Sequence, residues 1–63
     1  MSLARAIQGA RRKKGLNQSQ LARLVGVTRQ AVSDWEKGID PTLANLRKVA
    51  RVTQTPLAEL VGG

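Results

Sequence analysis

Four polar side chains near the middle of the chain could form directed hydrogen bonds: Arg29, Gln30, Ser33 and Asp34. Residues three and four apart lie side by side on a helix, so this spacing gathers the four on one helical face. Val32 and Trp35 fall on the opposite face. Arg29 can donate two hydrogen bonds to guanine O6 and N7, and Gln30 can pair with adenine N6 and N7. The stripe therefore suits the edges of base pairs in the major groove.

The same side chains also have simpler interpretations. Arg29 could contact a phosphate, and Gln30 could be an ordinary surface glutamine. Ser33 could contact either strand or only give clearance. Asp34 could accept a hydrogen bond from cytosine N4, but DNA phosphates repel a carboxylate, so an orienting contact with Arg29 or Arg23 is favoured. We expect base contacts from Arg29 and Gln30, with Ser33 and Asp34 beside them.

Two short amphipathic helices must hold this stripe in place. Apolar residues recur at helical spacing on either side of a glycine, at Leu21, Ala22, Val25, Val27, Ala31, Val32 and Trp35. Gly26 tolerates the positive φ of a tight turn, and Ala22 is small enough for two helices to cross closely. Asn17 and Thr28 are the expected N-caps, with Gln20 forming a variant of the capping box. The pattern predicts two helices joined at Gly26, within about residues 18–37.

Three further helices complete the expected architecture. The first runs from about Ser2 to Lys14, a fourth begins near Thr42, and a short final helix follows Thr55-Pro56. No segment alternates apolar and polar residues over the length of a strand. A chain of 63 residues has room for one small core. We therefore expect an all-α fold, with five helices in a single compact domain spanning residues 1–63.

Composition narrows the function further. Eleven Lys and Arg residues against four acidic residues give a formal charge of +7, which favours a polyanion such as nucleic acid over an anionic membrane surface. The chain has no Cys and no His, so disulfides, thiolate zinc sites and imidazole chemistry are excluded. The four carboxylates form no catalytic motif. We expect no enzyme activity, cofactor, metal or small-molecule substrate. No apolar run approaches the roughly 20 residues that span a bilayer.

These residues also carry a family resemblance. The segment GLNQSQLARLVGVTRQAVSDWEKG resembles the helix-turn-helix core of the lambdoid phage repressor and Cro family, also called the XRE family. The matching positions are Gly15-Leu16, Gln18, Leu21-Ala22, Gly26, Val32, Trp35-Glu36 and Gly38. The segment PTLANLRKVARVTQTPLAEL resembles the fourth and fifth helices of that family, so the resemblance extends from about Ile7 to Leu60. Many members have Leu-Gly where this chain has Thr53-Gln54. Many also have an apolar residue where this chain has Thr55.

The resemblance implies a lambda-repressor-like fold whose third helix lies in the major groove. It implies a cytoplasmic, sequence-specific regulator of transcription, a repressor of phage or bacterial type acting as a homodimer on a two-fold symmetric operator. It supports Arg29, Gln30 and Asp34 as base-facing residues. It also implies a structural ion pair between Arg11 and Glu36.

Phosphate contacts are expected around the ends of the two central helices. Gln18 begins the second helix, where free backbone amides and the helix dipole attract an anion. In the resembled family the matching glutamine binds the DNA backbone and can brace the first recognition side chain. Asn17 and Thr28 could each donate a further bond to phosphate, and Lys37 directly follows the third helix. Such contacts fix the register of the protein on DNA but carry little sequence information.

The last helix offers a candidate dimer patch of Leu57, Leu60 and Val61. One or two of these residues must close the core, and the remainder could pair across a two-fold axis. A different class of function stays open at this point. The chain could be a protein-interaction module such as an antitoxin, in which this patch binds another protein and DNA binding is secondary. Arg29 and Gln30 argue mildly for the DNA-binding regulator.

Overall fold

The computed structural model describes residues 2–62 of the chain. Five α-helices follow one another: α1 Leu3–Lys13, α2 Gln18–Val25, α3 Arg29–Glu36, α4 Leu43–Thr53 and α5 Leu57–Val61. Residues 2–62 contain no β-strand. The expected all-α fold of five helices is confirmed. The expected range of the first helix differs from α1 by one residue at each end, because Ser2 and Lys14 are its caps.

Local capping rules determine where four of the helices begin. A side-chain oxygen accepts a hydrogen bond from the backbone N–H three residues later at each N-cap: Ser2, Asn17, Thr28 and Thr42. Asn17 and Gln20 form a reciprocal capping box, with both hydrogen bonds at 2.8 Å. These contacts satisfy backbone N–H groups that have no partner inside the helix. Pro56 precedes α5 as its N-cap and gives it no side-chain hydrogen bond.

The turn between α2 and α3 depends on Gly26. Its φ is 86°, in the left-handed region that costs a residue with a side chain about 1–2 kcal/mol. The backbone N–H groups of Gly26 and Val27 both donate to the carbonyl oxygen of Ala22, at 2.8 and 2.9 Å. The turn therefore ends α2 with the Ala22 carbonyl satisfied, and α3 starts at Arg29, three residues after Gly26.

All five helices contribute to one core. Helix α3 packs against α1 and α2, while α4 packs against α1, α2 and α5. The buried apolar side chains are Ile7, Ala10, Leu21, Ala22, Val25, Val32, Trp35, Leu46, Val49 and Leu60. Trp35 is 5% exposed, so the sole aromatic residue belongs to the core. Burying Val32 and Trp35 fixes which face of α3 is turned to solvent.

The predicted dimer patch on α5 requires one correction. Leu60 is 3% exposed and closes the core, so it cannot contribute to a surface patch. Leu57 is half-buried against the core, and Val61 is 60% exposed. The helix has only five residues, so only one or two of its side chains can point inward. Leu57 and Val61 remain as the accessible residues of the patch.

The end of α4 shows how the chain accommodates its departures from the family pattern. Thr53 is buried, and its hydroxyl donates to the Val49 carbonyl oxygen at 2.7 Å and lies 3.1 Å from the Thr55 hydroxyl. The hydrogen bond to the preceding turn lets a polar residue occupy a core position. Gln54 adopts a left-handed conformation with φ 54°, and its side chain contacts Lys14.

Gln54→Gly is expected to stabilise the fold by about 0.5–1 kcal/mol. Glycine removes about 1–2 kcal/mol of left-handed backbone strain and loses about 0.5–1 kcal/mol through its greater freedom in the unfolded chain. Urea denaturation measures the difference. Gln54→Ala is the matched control, since it also removes the contact with Lys14 but keeps the strain. Equal stability of the two variants would show that Gln54 is not strained.

Candidate nucleic-acid interface

Helix α3 presents its polar face to solvent. Arg29 and Gln30 are exposed at its first turn, and Ser33 and Asp34 are half-buried one turn later. The structure therefore brings the four predicted base-reading residues together on one outward face. Arg29 and Gln30 lie at the N-terminal end of the helix, which is the end that contacts base edges in a helix-turn-helix complex. Their contacts with individual bases remain predictions.

Asp34 has a different partner from the one expected. The Gln30 side-chain Nε2 donates to Asp34 Oδ1 at 2.9 Å, a pair separated by one helical turn. No ion pair joins Asp34 to Arg29 or Arg23 within residues 2–62. The i, i+4 spacing makes Gln30 the neighbour of Asp34 along the helix face, which explains the difference. Asp34 thus holds the Gln30 amide and leaves the Arg29 guanidinium free of a carboxylate.

An open concavity of about 360 Å³ lies at the start of α2. Its lining residues are Arg11, Asn17, Gln18, Ser19 and Arg29. The concavity joins the first residues of α2 to the first residue of α3, so the predicted phosphate ligands Asn17 and Gln18 share one surface with Arg29. The N-terminal N–H groups of a helix favour an anion at such a place.

Two predicted phosphate ligands lie outside this concavity. Thr28 is exposed as the N-cap of α3, and its oxygen accepts from the Ala31 N–H at 3.1 Å. Lys37 is exposed at the opposite end of α3 as its C-cap. The predicted phosphate ligands are thus distributed over both ends of α3, with the base-reading face between them.

A buried ion pair connects α1 to α3 behind this surface. Arg11 Nε lies 2.7 Å from Glu36 Oε2, and Arg11 Nη2 lies 3.0 Å from Glu36 Oε1. The side chains are 10% and 4% exposed, respectively. Arg11 Nη1 also donates to the Leu16 carbonyl oxygen at 2.9 Å. The two-pronged geometry and the additional bond satisfy the guanidinium, which is the condition for a buried pair to be tolerated.

The ion pair shifts the pKa of both Arg11 and Glu36. The hydrogen bond to Glu36 and its charge raise the pKa of Arg11, against an opposing effect of burial. Burial by itself raises the pKa of the Glu36 carboxyl. The hydrogen bonds from Arg11, Gln18 and Gln8 together with the charge of Arg11 outweigh it, and the pKa ends below its ordinary value. Both groups are therefore charged at neutral pH.

Sequence reasoning missed Gln8 as part of this cluster. Its side-chain Nε2 lies 3.4 Å from Glu36 Oε1, and the Gln18 Nε2 lies at the same distance from that oxygen. The sequence offered one weak indication: Gln8 lies three residues before Arg11, which puts both on the same side of α1. Glu36 consequently receives hydrogen bonds from both α1 and α2.

The Helix-turn-helix family model (HTH_3) matches residues 7–60, which is most of the chain. The chain belongs to this family. The XRE-type helix-turn-helix resemblance is thereby confirmed, with its motif formed by α2, the Gly26 turn and α3. Members of this family are DNA-binding regulators of transcription.

Solved structures show the same helical fold within larger proteins. The helix-turn-helix chain resembles FeII HppE in complex with substrate and FeII HppE, each at 30% identity with a TM-score of 0.85. It also resembles CoII HppE in complex with substrate, at 30% identity and a TM-score of 0.83. These matches cover 94%, 94% and 92% of this chain, but only 34%, 32% and 33% of the HppE chains. The chain thus spans about a third of their length.

No curated protein is significantly similar in sequence to this helix-turn-helix chain. None of the helices in residues 2–62 has the length and apolar character needed to cross a membrane.

Proposed function

We propose that this chain is a sequence-specific DNA-binding regulator that places α3 in the major groove and acts as a repressor. The observation that carries the proposal is the outward face of α3, where Arg29 and Gln30 are exposed while Val32 and Trp35 anchor the helix in the core. The formal charge of +7 supports association with a polyanion. Family membership supports the same function.

The proposed binding unit is a homodimer on a two-fold symmetric site. Leu57 and Val61 offer a small apolar surface at the end of the chain that the structure describes. A two-fold axis through such a surface would pair the same residues from both copies. The two α3 helices would then read half-sites separated by about 34 Å, one turn of B-DNA. Because the patch is small, we expect the dimer to form mainly on DNA.

Selection of binding sites from random duplex DNA tests the whole proposal at once. We expect a short, two-fold symmetric consensus whose half-sites are centred about one helical turn apart. Enrichment of no sequence would contradict a sequence-specific regulator. If no duplex is enriched and the chain instead forms a stable complex with another protein through Leu57 and Val61, the antitoxin-like interpretation would replace it.

Arg29→Ala is expected to relax the base preference at one position of each half-site and to cost about 1–3 kcal/mol of discrimination there. Gln18→Ala is expected to weaken binding to every duplex, because a phosphate contact carries no base information, and to relax base preference less than Arg29→Ala does. Titrations of the selected duplex and of single-base variants measure both effects.

Arg51→Ala is the matched control for this pair. It removes one positive charge from the exposed face of α4 and leaves α2 and α3 untouched. We expect it to leave base preference unchanged. A uniform loss across all duplexes for Arg29→Ala, equal to that of Arg51→Ala, would remove Arg29 from the base-reading residues.

A further inference from the structure

The Glu36 carboxylate is shared by donors from two other helices. Its Oε1 atom accepts hydrogen bonds from Arg11 Nη2 at 3.0 Å, from Gln8 Nε2 at 3.4 Å and from Gln18 Nε2 at 3.4 Å. An ionised carboxylate can only accept hydrogen bonds. The Gln18 side chain must therefore turn its NH₂ group, and not its carbonyl oxygen, towards Glu36.

This constraint determines what Gln18 offers to a ligand. A carboxamide is planar, with two N–H donors on nitrogen and one acceptor oxygen. One N–H is taken by Glu36, which leaves the second N–H and Oε1. Within residues 2–62, Gln18 Oε1 accepts no hydrogen bond. Both Gln18 and Arg29 line the concavity at the start of α2, so the two free positions lie beside the exposed guanidinium.

We propose that Glu36 is a positioning residue for DNA binding, acting through the Gln18 amide. It fixes one orientation of that amide, so that the second N–H donates to a phosphate and Oε1 accepts from Arg29. The buried Arg11–Glu36 pair thereby does more than join α1 to α3: it prepares the surface on which the recognition arginine is held. The DNA part of this inference rests on the proposed function.

Nuclear magnetic resonance of the ¹⁵N-labelled protein without DNA tests the first step. At pH 7 we expect one of the two Gln18 Nε2 protons to resonate downfield of the corresponding Gln20 proton. Gln20 is the matched control, because its side-chain oxygen accepts from the Asn17 N–H and its NH₂ has no carboxylate partner in residues 2–62. Gln18 protons that coincide with those of Gln20 would overturn the inference.

A double-mutant cycle on DNA tests the second step, using the selected duplex with native protein, Gln18→Met, Glu36→Gln and the double variant. Gln18→Met is expected to weaken binding about 10- to 100-fold, the usual range for one hydrogen bond to a charged group. Glu36→Gln should weaken binding by a similar factor in the native background and by little when Met already replaces Gln18. If the affinity loss of the double variant equals the product of the losses of the two single variants, Glu36 does not act through Gln18 and the inference is overturned.

The resonance experiment and the double-mutant cycle together distinguish a failure of the role of Glu36 from a failure of the proposed DNA-binding function. Circular dichroism establishes that each variant is folded under the binding conditions. If Glu36→Gln does not fold, the Gln18 resonances of the native protein bound to the selected duplex replace the cycle, and loss of the downfield Gln18 proton on binding would overturn the role of Glu36. Failure of the native protein to bind any duplex overturns the proposed function. In that event the Gln18 resonances still show whether Glu36 holds the amide.

Discussion

Glu36→Ala is expected to lower the free energy of unfolding by up to about 3–5 kcal/mol. The substitution leaves the Arg11 guanidinium buried without its carboxylate, and breaking one side of a buried pair usually costs this much. Domains contribute about 0.05–0.15 kcal/mol of stability per residue, so a chain of this length has about 3–9 kcal/mol in total. A loss of this size is about a third or more of the total, and it would unfold a chain at the lower end of that range at 25 °C. Urea denaturation followed by circular dichroism measures the loss.

Glu59→Ala provides the matched control for this substitution. Glu59 is an exposed carboxylate on α5, so its removal is expected to change stability by less than about 0.5 kcal/mol. The double variant Arg11→Met/Glu36→Leu should recover much of the loss, because apolar replacement of both partners avoids an unpaired buried charge. Similar stabilities for Glu36→Ala and Glu59→Ala would show that the pair is not important for the fold.

The same pair predicts how stability depends on pH. The folded-state pKa of Glu36 is lowered, so its stabilising contribution is fully present above the ordinary glutamate pKa. This contribution is lost as pH falls through the lowered folded-state value, because protonation removes the charge that Arg11 requires. The native protein should lose more stability on acidification than the Arg11→Met/Glu36→Leu variant.

DNA binding is expected to weaken by about 10³–10⁵-fold between 50 and 200 mM salt. This range corresponds to a dimer that contacts about 6–10 phosphates and releases the counterions bound to them. The expected ligands on each copy include Asn17, Gln18, Thr28 and Lys37, of which Lys37 carries a charge. Titrations of one duplex at several salt concentrations give the slope of log affinity against log salt.

Lys37→Gln and Lys48→Gln form a matched pair for this measurement. Lys37 caps α3 beside the proposed interface, whereas Lys48 lies exposed on α4. Lys37→Gln should reduce the salt slope by about 1 for each lysine that contacts a phosphate, and Lys48→Gln should leave it unchanged. A flat salt response of the native protein would contradict a DNA-binding function.

Much of the scaffold could be predicted because its signals are local. A side-chain oxygen at Asn17 or Thr28 meets a backbone N–H three residues away, and this contact needs no other part of the chain. Gly26 similarly ends α2 through its own φ angle. The outward face of α3 follows from the burial of Val32 and Trp35. Each of these features depends on residues within one or two helical turns of one another, and over that distance the spacing along the chain determines which residues are close in space.

Other features could not be read in this way. The contact between Gln30 and Asp34 has a local i, i+4 signal, but spacing along one helix does not show whether a cation from another helix, such as Arg23, bonds to Asp34 instead. The division of α5 into a buried Leu60 and an exposed Val61 depends on how the helix docks against α1 and α4. Spacing does not separate the outcomes on α5, since Leu57, Leu60 and Val61 all fit one helical pattern.

The sequence by itself determined five helices, their caps, the turn at Gly26 and the grouping of Arg29 and Gln30 on one face, because each depends on neighbours along the chain. Only the tertiary structure decided that Gln8 and Gln18 meet on Glu36. Those contacts join residues 28 and 18 positions apart, and they exist because the packing of three helices brings one buried carboxylate within reach of both amides.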